Sequence, residues 1–290
     1  MSIDTAETKR TNSVPSLAYI EGGSGPLVLF VHGVGGNKRN WLPQLAMFKA
    51  NYRAVSCDLR GYGESEDYEG EFSVVDAACD VIRLLDHLQV DAAHLVGLSL
   101  GGCIVLETLR VHPNRIRSVT ACSINAGLGT MPASVRIAFL EARLAPLRAG
   151  GTLADMADGL VESLLGSMAT PRHVSTLRES ILALRPASYM KALRAGVTHV
   201  NALQAISGMA PTLFLAAEDD RLIPPYTVAA AARSVENARY AVVPHAGHVS
   251  NIEQPAAFNA EVLDFINGVE SADAQRGAAL TNAAAPKIAR

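Results

Sequence analysis

Short apolar runs alternate with longer helical ones along most of this chain, and that rhythm narrows the architecture to one class. Residues 27–31, 52–57, 93–97, 117–123, 212–216 and 239–243 form compact runs rich in apolar and β-branched side chains. Several are continuously apolar, as strands covered on both faces of a parallel sheet are. Between them, residues 73–88 repeat apolar side chains at Val74, Ala77, Ala78, Val81, Leu84, Leu85 and Leu88, close to the period of an α-helix. Residues 99–111 and 255–266 follow the same pattern. Strands alternating with helices predict an α/β fold with a mostly parallel central sheet flanked by helices.

One interval breaks the alternation. Residues 126–207 hold no convincing strand, only helical pieces punctuated by Pro132, Pro146, Gly150-Gly151, Pro171 and Pro186. A helical insertion between two core strands reads as a cap over a core made of residues 16–125 and 208–268. The cap carries eight basic and five acidic residues, a formal charge of +3 against −6 for the remainder. This basic excess suggests an anionic substrate; Arg136 and Arg143 stand two helical turns apart near the start of the cap, and the pattern alone gives neither a role. Residues 1–15 are polar and unpatterned and residues 269–290 are Ala-rich, so both ends are expected to be flexible tails.

Composition removes other classes. With 25 Lys plus Arg against 28 Asp plus Glu, the chain lacks the basic excess of a nucleic-acid or membrane-surface binder. No apolar run is long enough to span a membrane, and the polar N-terminus is unlike a secretory signal. Cys57, Cys79, Cys103 and Cys122 are widely spaced and form no CxxC pair, so neither a disulfide framework nor a zinc site is indicated. A cytoplasmic protein acting on a small molecule, without metal or organic cofactor, is the expectation.

The chemistry concentrates at strand ends. Gly97-Leu98-Ser99-Leu100-Gly101 is a G-x-S-x-G sequence directly after one apolar run and directly before a helix, the setting in which a serine is presented as a nucleophile on a sharp turn. The helix that follows turns its positive end toward the site. Acyl transfer passes through an oxyanion that needs two preorganised N–H donors. The amide of Leu100 is one candidate, and that of Val34 in His32-Gly33-Val34-Gly35-Gly36 is the other. His32 reads as structural. A general base must reach the serine and be held by a carboxylate. Pro244-His245-Ala246-Gly247-His248, after the last strand, offers two histidines. His248 is chosen over His245 because Gly247 frees its backbone and the helix behind anchors its loop. Glu218-Asp219-Asp220 follows the run at 212–216, and Asp220 is chosen over Asp219 as the acid, ahead of the helix that Pro224 launches.

Together these residues resemble the α/β-hydrolase superfamily over roughly residues 16–268. Asp58-Leu59-Arg60-Gly61-Tyr62-Gly63-Glu64-Ser65 is similar to that superfamily's D-x-R-G-x-G-x-S turn, a structural element. Ser99 stands where epoxide hydrolases and haloalkane dehalogenases of this fold carry aspartate. His248-Val249-Ser250-Asn251-Ile252-Glu253-Gln254-Pro255 resembles the same segment of 3-oxoadipate enol-lactonases and related carboxylesterases. The resemblance implies a serine hydrolase acting on an ester or lactone through a Ser99–His248–Asp220 triad. A carbon–carbon hydrolase of ring-cleavage products, an acyltransferase and a non-enzymatic ligand-binding protein on the same scaffold are the alternatives.

Overall fold

A computed structural model describes residues 7–284 and contains one eight-stranded sheet. The strands are β1 (Lys9–Arg10), β2 (Ala18–Gly22), β3 (Leu27–Val31), β4 (Arg53–Cys57), β5 (Ala93–Leu98), β6 (Ile116–Cys122), β7 (Thr212–Ala217) and β8 (Arg239–Val243). Their spatial order is β1-β2-β4-β3-β5-β6-β7-β8. From β4 to β8 all neighbours run parallel, while β2 is antiparallel to β4 and β1 to β2. Helices α1 (Leu42–Phe48), α2 (Val74–His87), α3 (Leu100–Val111), α8 (Pro225–Arg233), the short α9 (Ser250–Glu253) and α10 (Pro255–Ala284) connect or follow the core strands. Four more, α4 (Ala133–Arg148), α5 (Leu153–Leu164), α6 (Pro171–Leu182) and α7 (Pro186–Thr198), lie between β6 and β7.

The order of the strands explains why both faces are covered. The crossover from β3 through α1 to β4 steps one way along the sheet, and that from β4 through α2 to β5 steps back the other way. Right-handed crossovers therefore put α1 and α2 on opposite faces. Strands β3 and β5 to β7 are consequently buried almost throughout, as their unbroken apolar sequences anticipate. The reversal at β3 also opens a crevice between the carboxyl ends of β3 and β5, where Val31 pairs with Gly97.

The two expected tails are corrected where they are described. Residues 9–10 pair with β2, and Thr11 is buried with its hydroxyl accepting the Leu17 amide at 2.8 Å. At the other end α10 continues past residue 268 to Ala284. Its Glu270 lies 2.9 Å from His94 Nε2 and 2.7 Å from Arg117, and Asp273 adds a second contact to Arg117. These long-range polar contacts, with the strong helix propensity of alanine, replace the apolar periodicity that this stretch lacks. Residues 1–6 and 285–290 lie outside the described residues. The strands β1 and β2 were absent from the pattern because one is two residues long and the other forms the antiparallel margin. Among the described residues no helix is long and apolar enough to cross a membrane.

The turn after β4 is built around a buried charge. Asp58 accepts the Lys38 amide and ammonium, each at 2.7 Å, and the Glu64 amide at 2.9 Å. A side chain on Gly63 would collide with that carboxylate, 2.3 Å from its Oδ2. Arg60 makes a two-pronged contact with the buried Asp80 of α2, which Arg83 also contacts. Removing one member of a buried pair leaves the other charge uncompensated. Lys38→Met should accordingly destabilise the fold by roughly 3–5 kcal/mol, read as a lower urea midpoint at unchanged slope.

Candidate active site

Ser99 occupies the turn between β5 and α3 with φ 56° and ψ −118°, a conformation that a residue with a side chain adopts only when its surroundings impose it. Two glycines make the turn sterically possible. A Cβ on Gly97 would lie 2.2 Å from the Gly101 carbonyl oxygen, and one on Gly101 would lie 2.2 Å from that of Val31. The Ser99 amide is tied to the Cys122 carbonyl at 2.9 Å, so β6 braces the turn from the side. Leu100 begins α3, and its amide belongs to the helix end where N–H groups have no intrahelical acceptor.

The loop after β3 faces this turn. His32 is fully buried and satisfied on both nitrogens: Nδ1 donates to the Gly33 carbonyl at 2.7 Å, and Nε2 accepts the Leu59 amide at 3.0 Å. That pairing requires one neutral tautomer, and burial pushes the ring's pKa down, in keeping with it. His32 thus stitches the β3 loop to the turn after β4. Among the described residues neither the Val34 nor the Leu100 amide donates to any acceptor, and both residues line the same pocket as Ser99.

Asp220 and His248 meet behind that pocket. Asp220 Oδ1 accepts the Leu222 and Ile223 amides at 2.9 Å each, which leaves Oδ2 for His248 Nδ1 at 2.9 Å. Burial alone raises the carboxyl's pKa, but the imidazole and the converging hydrogen bonds outweigh it and hold Asp220 below the ordinary aspartate value. The carboxylate therefore fixes the proton of His248 on Nδ1 and leaves Nε2 as an acceptor at the pocket wall.

Of the rival residues, His245 is exposed, with its backbone amide on Glu218 at 2.8 Å, and does not line the pocket. Asp219 accepts the amide and hydroxyl of Ser167 in the insertion instead of reaching a histidine. Gly247 is needed for a reason other than backbone freedom. Its Cβ would sit 2.4 Å from the Gly166 amide nitrogen, so two backbones pass there in contact. His248 N–H donates to the Leu164 carbonyl at 2.8 Å across the same junction. Glu253 is the residue that sequence reasoning missed. Its buried carboxylate spans the junction, accepting Gly166 N–H at 2.8 Å and Gly247 N–H at 2.9 Å. An isolated acid in the otherwise uncharged stretch after His248 was the available signal.

The pocket holds about 170 Å³ and opens between the sheet edge and the insertion. Leu160, Leu164, Leu177, Ile181, Leu193 and Val197 of α5 to α7 make much of its wall apolar. Cys103, one turn after Ser99, also lines it, and burial pushes its thiol up to about 11, which favours the protonated form at neutral pH. Among the described residues no group of three His, Cys, Asp or Glu could hold a metal ion.

The chain matches the family defined by the alpha/beta hydrolase fold over residues 26–255. It is 31% identical to 3-oxoadipate enol-lactonase 2 of Acinetobacter baylyi, in an alignment covering 81% of this chain and 86% of the relative. It is 29% identical to a protein of Variovorax paradoxus provisionally named a carbamate hydrolase, covering 85% and 94% of the two chains. A thermophilic esterase of Thermogutta terrifontis, solved with malate bound, superimposes with a TM-score of 0.81 at 25% identity, over 91% of this chain and 99% of that one. On sequence and architecture together, the chain belongs to the α/β-hydrolase fold family.

Proposed function

We propose that the protein is a serine hydrolase that cleaves an ester or lactone of a small molecule through an acyl-enzyme. The observation that carries this reading is the 2.9 Å contact of Asp220 with His248 Nδ1, made while two amides hold the other carboxylate oxygen. It orients an imidazole whose free nitrogen shares a pocket with Ser99. In the proposed reaction Ser99 Oγ attacks the carbonyl carbon as its proton passes to His248 Nε2. The Val34 and Leu100 amides receive the oxyanion. Collapse breaks the bond to the leaving oxygen, which takes the proton back from His248. Water then gives a proton to His248 and its hydroxyl to the acyl carbon, which restores Ser99 and releases the acid. With a lactone the leaving oxygen stays on the product, as a hydroxy acid or an enol.

A cavity of about 170 Å³ suits a small acyl group. The similarity to an enol-lactonase favours a lactone, and the similarity to the provisionally named carbamate hydrolase makes a carbamate the competing carbonyl.

Diisopropyl fluorophosphate tests the nucleophile. The expected result is one phosphoryl adduct, located at Ser99 by peptide mass spectrometry, with hydrolysis of p-nitrophenyl acetate lost in step with labelling. Labelling at another residue, or hydrolysis that persists after full labelling, would overturn the reading. Comparing p-nitrophenyl acetate, an enol-lactone, an N-alkyl carbamate and a dienoate ring-cleavage product then separates ester, lactone, carbamate and carbon–carbon chemistry.

A further inference from the structure

Glu253 closes the short helix α9, and its carboxylate is buried without a countercharge. Among the described residues no Lys, Arg or His pairs with it, and its oxygens are held by two backbone amides. Burial raises its pKa above the ordinary glutamate value, Asp219 and Asp220 nearby add to the rise, and the two amides oppose it. A lone buried carboxylate costs free energy that an apolar side chain of similar size would avoid. Its presence is accounted for by what the two amides belong to.

Oε1 accepts the amide of Gly247, the residue before the base, at 2.9 Å, and Oε2 accepts that of Gly166 in the insertion at 2.8 Å. One planar group thus clasps the His248 loop to the 164–167 segment, where the Leu164 carbonyl receives the His248 amide at 2.8 Å. The clasp is itself anchored in the core. Asn251 of α9 donates from Nδ2 to the Asn40 carbonyl, and its own carbonyl accepts Gln44 Nε2, each at 3.0 Å. Asp220 holds the other end of His248, fixing the ring through Nδ1 but not the backbone that carries it. A glycine before the histidine leaves that backbone free to turn unless something grips it. Glu253 does not line the pocket, so it acts without touching substrate.

We infer that Glu253 is a positioning residue for the general base: its carboxylate joins the Gly247 and Gly166 amides and so keeps His248 Nε2 at the place where Ser99 gives up its proton. This rests on the hydrolase reading above for the reaction, though not for the placing of the imidazole. A shift of a reacting group by about 1 Å costs on the order of 100-fold in rate. Because the pocket walls are untouched, the loss belongs to kcat and not to KM.

The test is Glu253→Gln, which keeps the shape but turns an N–H toward one of the two amides. On p-nitrophenyl acetate kcat should fall roughly 10- to 100-fold, with KM within about threefold of wild type. Asp219→Asn is the control, since it loosens the same segment at Ser167 without touching Gly247, and its kcat should stay near wild type. Proton NMR reads the imidazole without turnover. The downfield resonance of His248 Nδ1–H on Asp220, identified by its loss in His248→Ala, should be sharp in wild type and Asp219→Asn and broadened or absent in Glu253→Gln. Should Glu253→Gln not fold, Glu253→Asp carries the comparison. It keeps the charge, is one methylene shorter and cannot reach both amides, so it should show the same selective loss of kcat and the same broadening. A folded variant with kcat within about threefold of wild type, a change in KM alone, an equal fall of kcat in Asp219→Asn, or an unchanged resonance would overturn the assignment. If wild type hydrolyses no ester while the resonance responds as expected, the hydrolase reading fails and the placing of the imidazole by Glu253 stands.

Discussion

Ser99→Ala is expected to lower kcat on p-nitrophenyl acetate by at least about 10⁴-fold while the circular dichroism spectrum and Tm stay close to wild type. Where a nucleophile, base and acid work as a unit, loss of the nucleophile alone removes nearly everything the unit contributes. The fold should survive because the Ser99 hydroxyl bears no structural load. The strained turn is held by the Ser99 amide on Cys122 and by the close passage of Gly97 and Gly101 against neighbouring backbone, and alanine keeps both. Stopped assays with at least a thousandfold more variant than wild type make the residual rate measurable. A loss under tenfold would assign the nucleophile elsewhere.

Asp220→Asn should cost about 10³–10⁴-fold in kcat with little change in KM, since the amide would favour the wrong tautomer of His248 without moving it. Asp219→Asn is the matched control. Its carboxylate serves Ser167, so kcat should stay near wild type. The pH dependence follows from the direction of the Asp220 shift. A carboxyl held below the ordinary value in the folded state contributes stability that is fully present above the unfolded aspartate pKa and is lost as pH falls through the folded one. In Asp220→Asn that acid-side loss should shrink, so wild-type and variant unfolding free energies converge as pH drops below about 4. Urea titrations at pH 7 and pH 3.5 would show a difference between the two proteins that narrows. A constant difference would mean that Asp220 is not held as an anion.

How much of this could be read beforehand follows the range of the interactions. The parallel strands were legible because burial on both faces leaves an unbroken apolar run, as at β3 and β7. The Ser99 turn was legible because its glycines, its strand and its helix are contiguous. The margin strands were not, since β1 depends on pairing with β2 and carries no pattern of its own. Nor was the extension of α10, whose Glu270 finds His94 and Arg117 more than 150 residues away in sequence. Arg136 and Arg143 could not be separated by spacing, because α4 is too evenly mixed to say which side meets the pocket. In the fold only Arg143 lines it. Of the two histidines it is His248 that meets Asp220 in the fold, and Gly247 beside it packs against Gly166, a contact that sequence spacing does not reveal.

That packing bears on exchanging insertions between members of the family. The segment at residues 164–167 gives its Leu164 carbonyl to the His248 amide, its Gly166 amide to Glu253 and its Ser167 amide to Asp219, while Arg221 bonds the Glu162 and Leu165 carbonyls. A chimera cut on either side of the whole insertion would therefore import a foreign seat for the histidine along with new pocket walls. One that replaces α4 alone, and retains the α5–α6 junction, would alter what the pocket admits while the His248 loop keeps its own backbone partners.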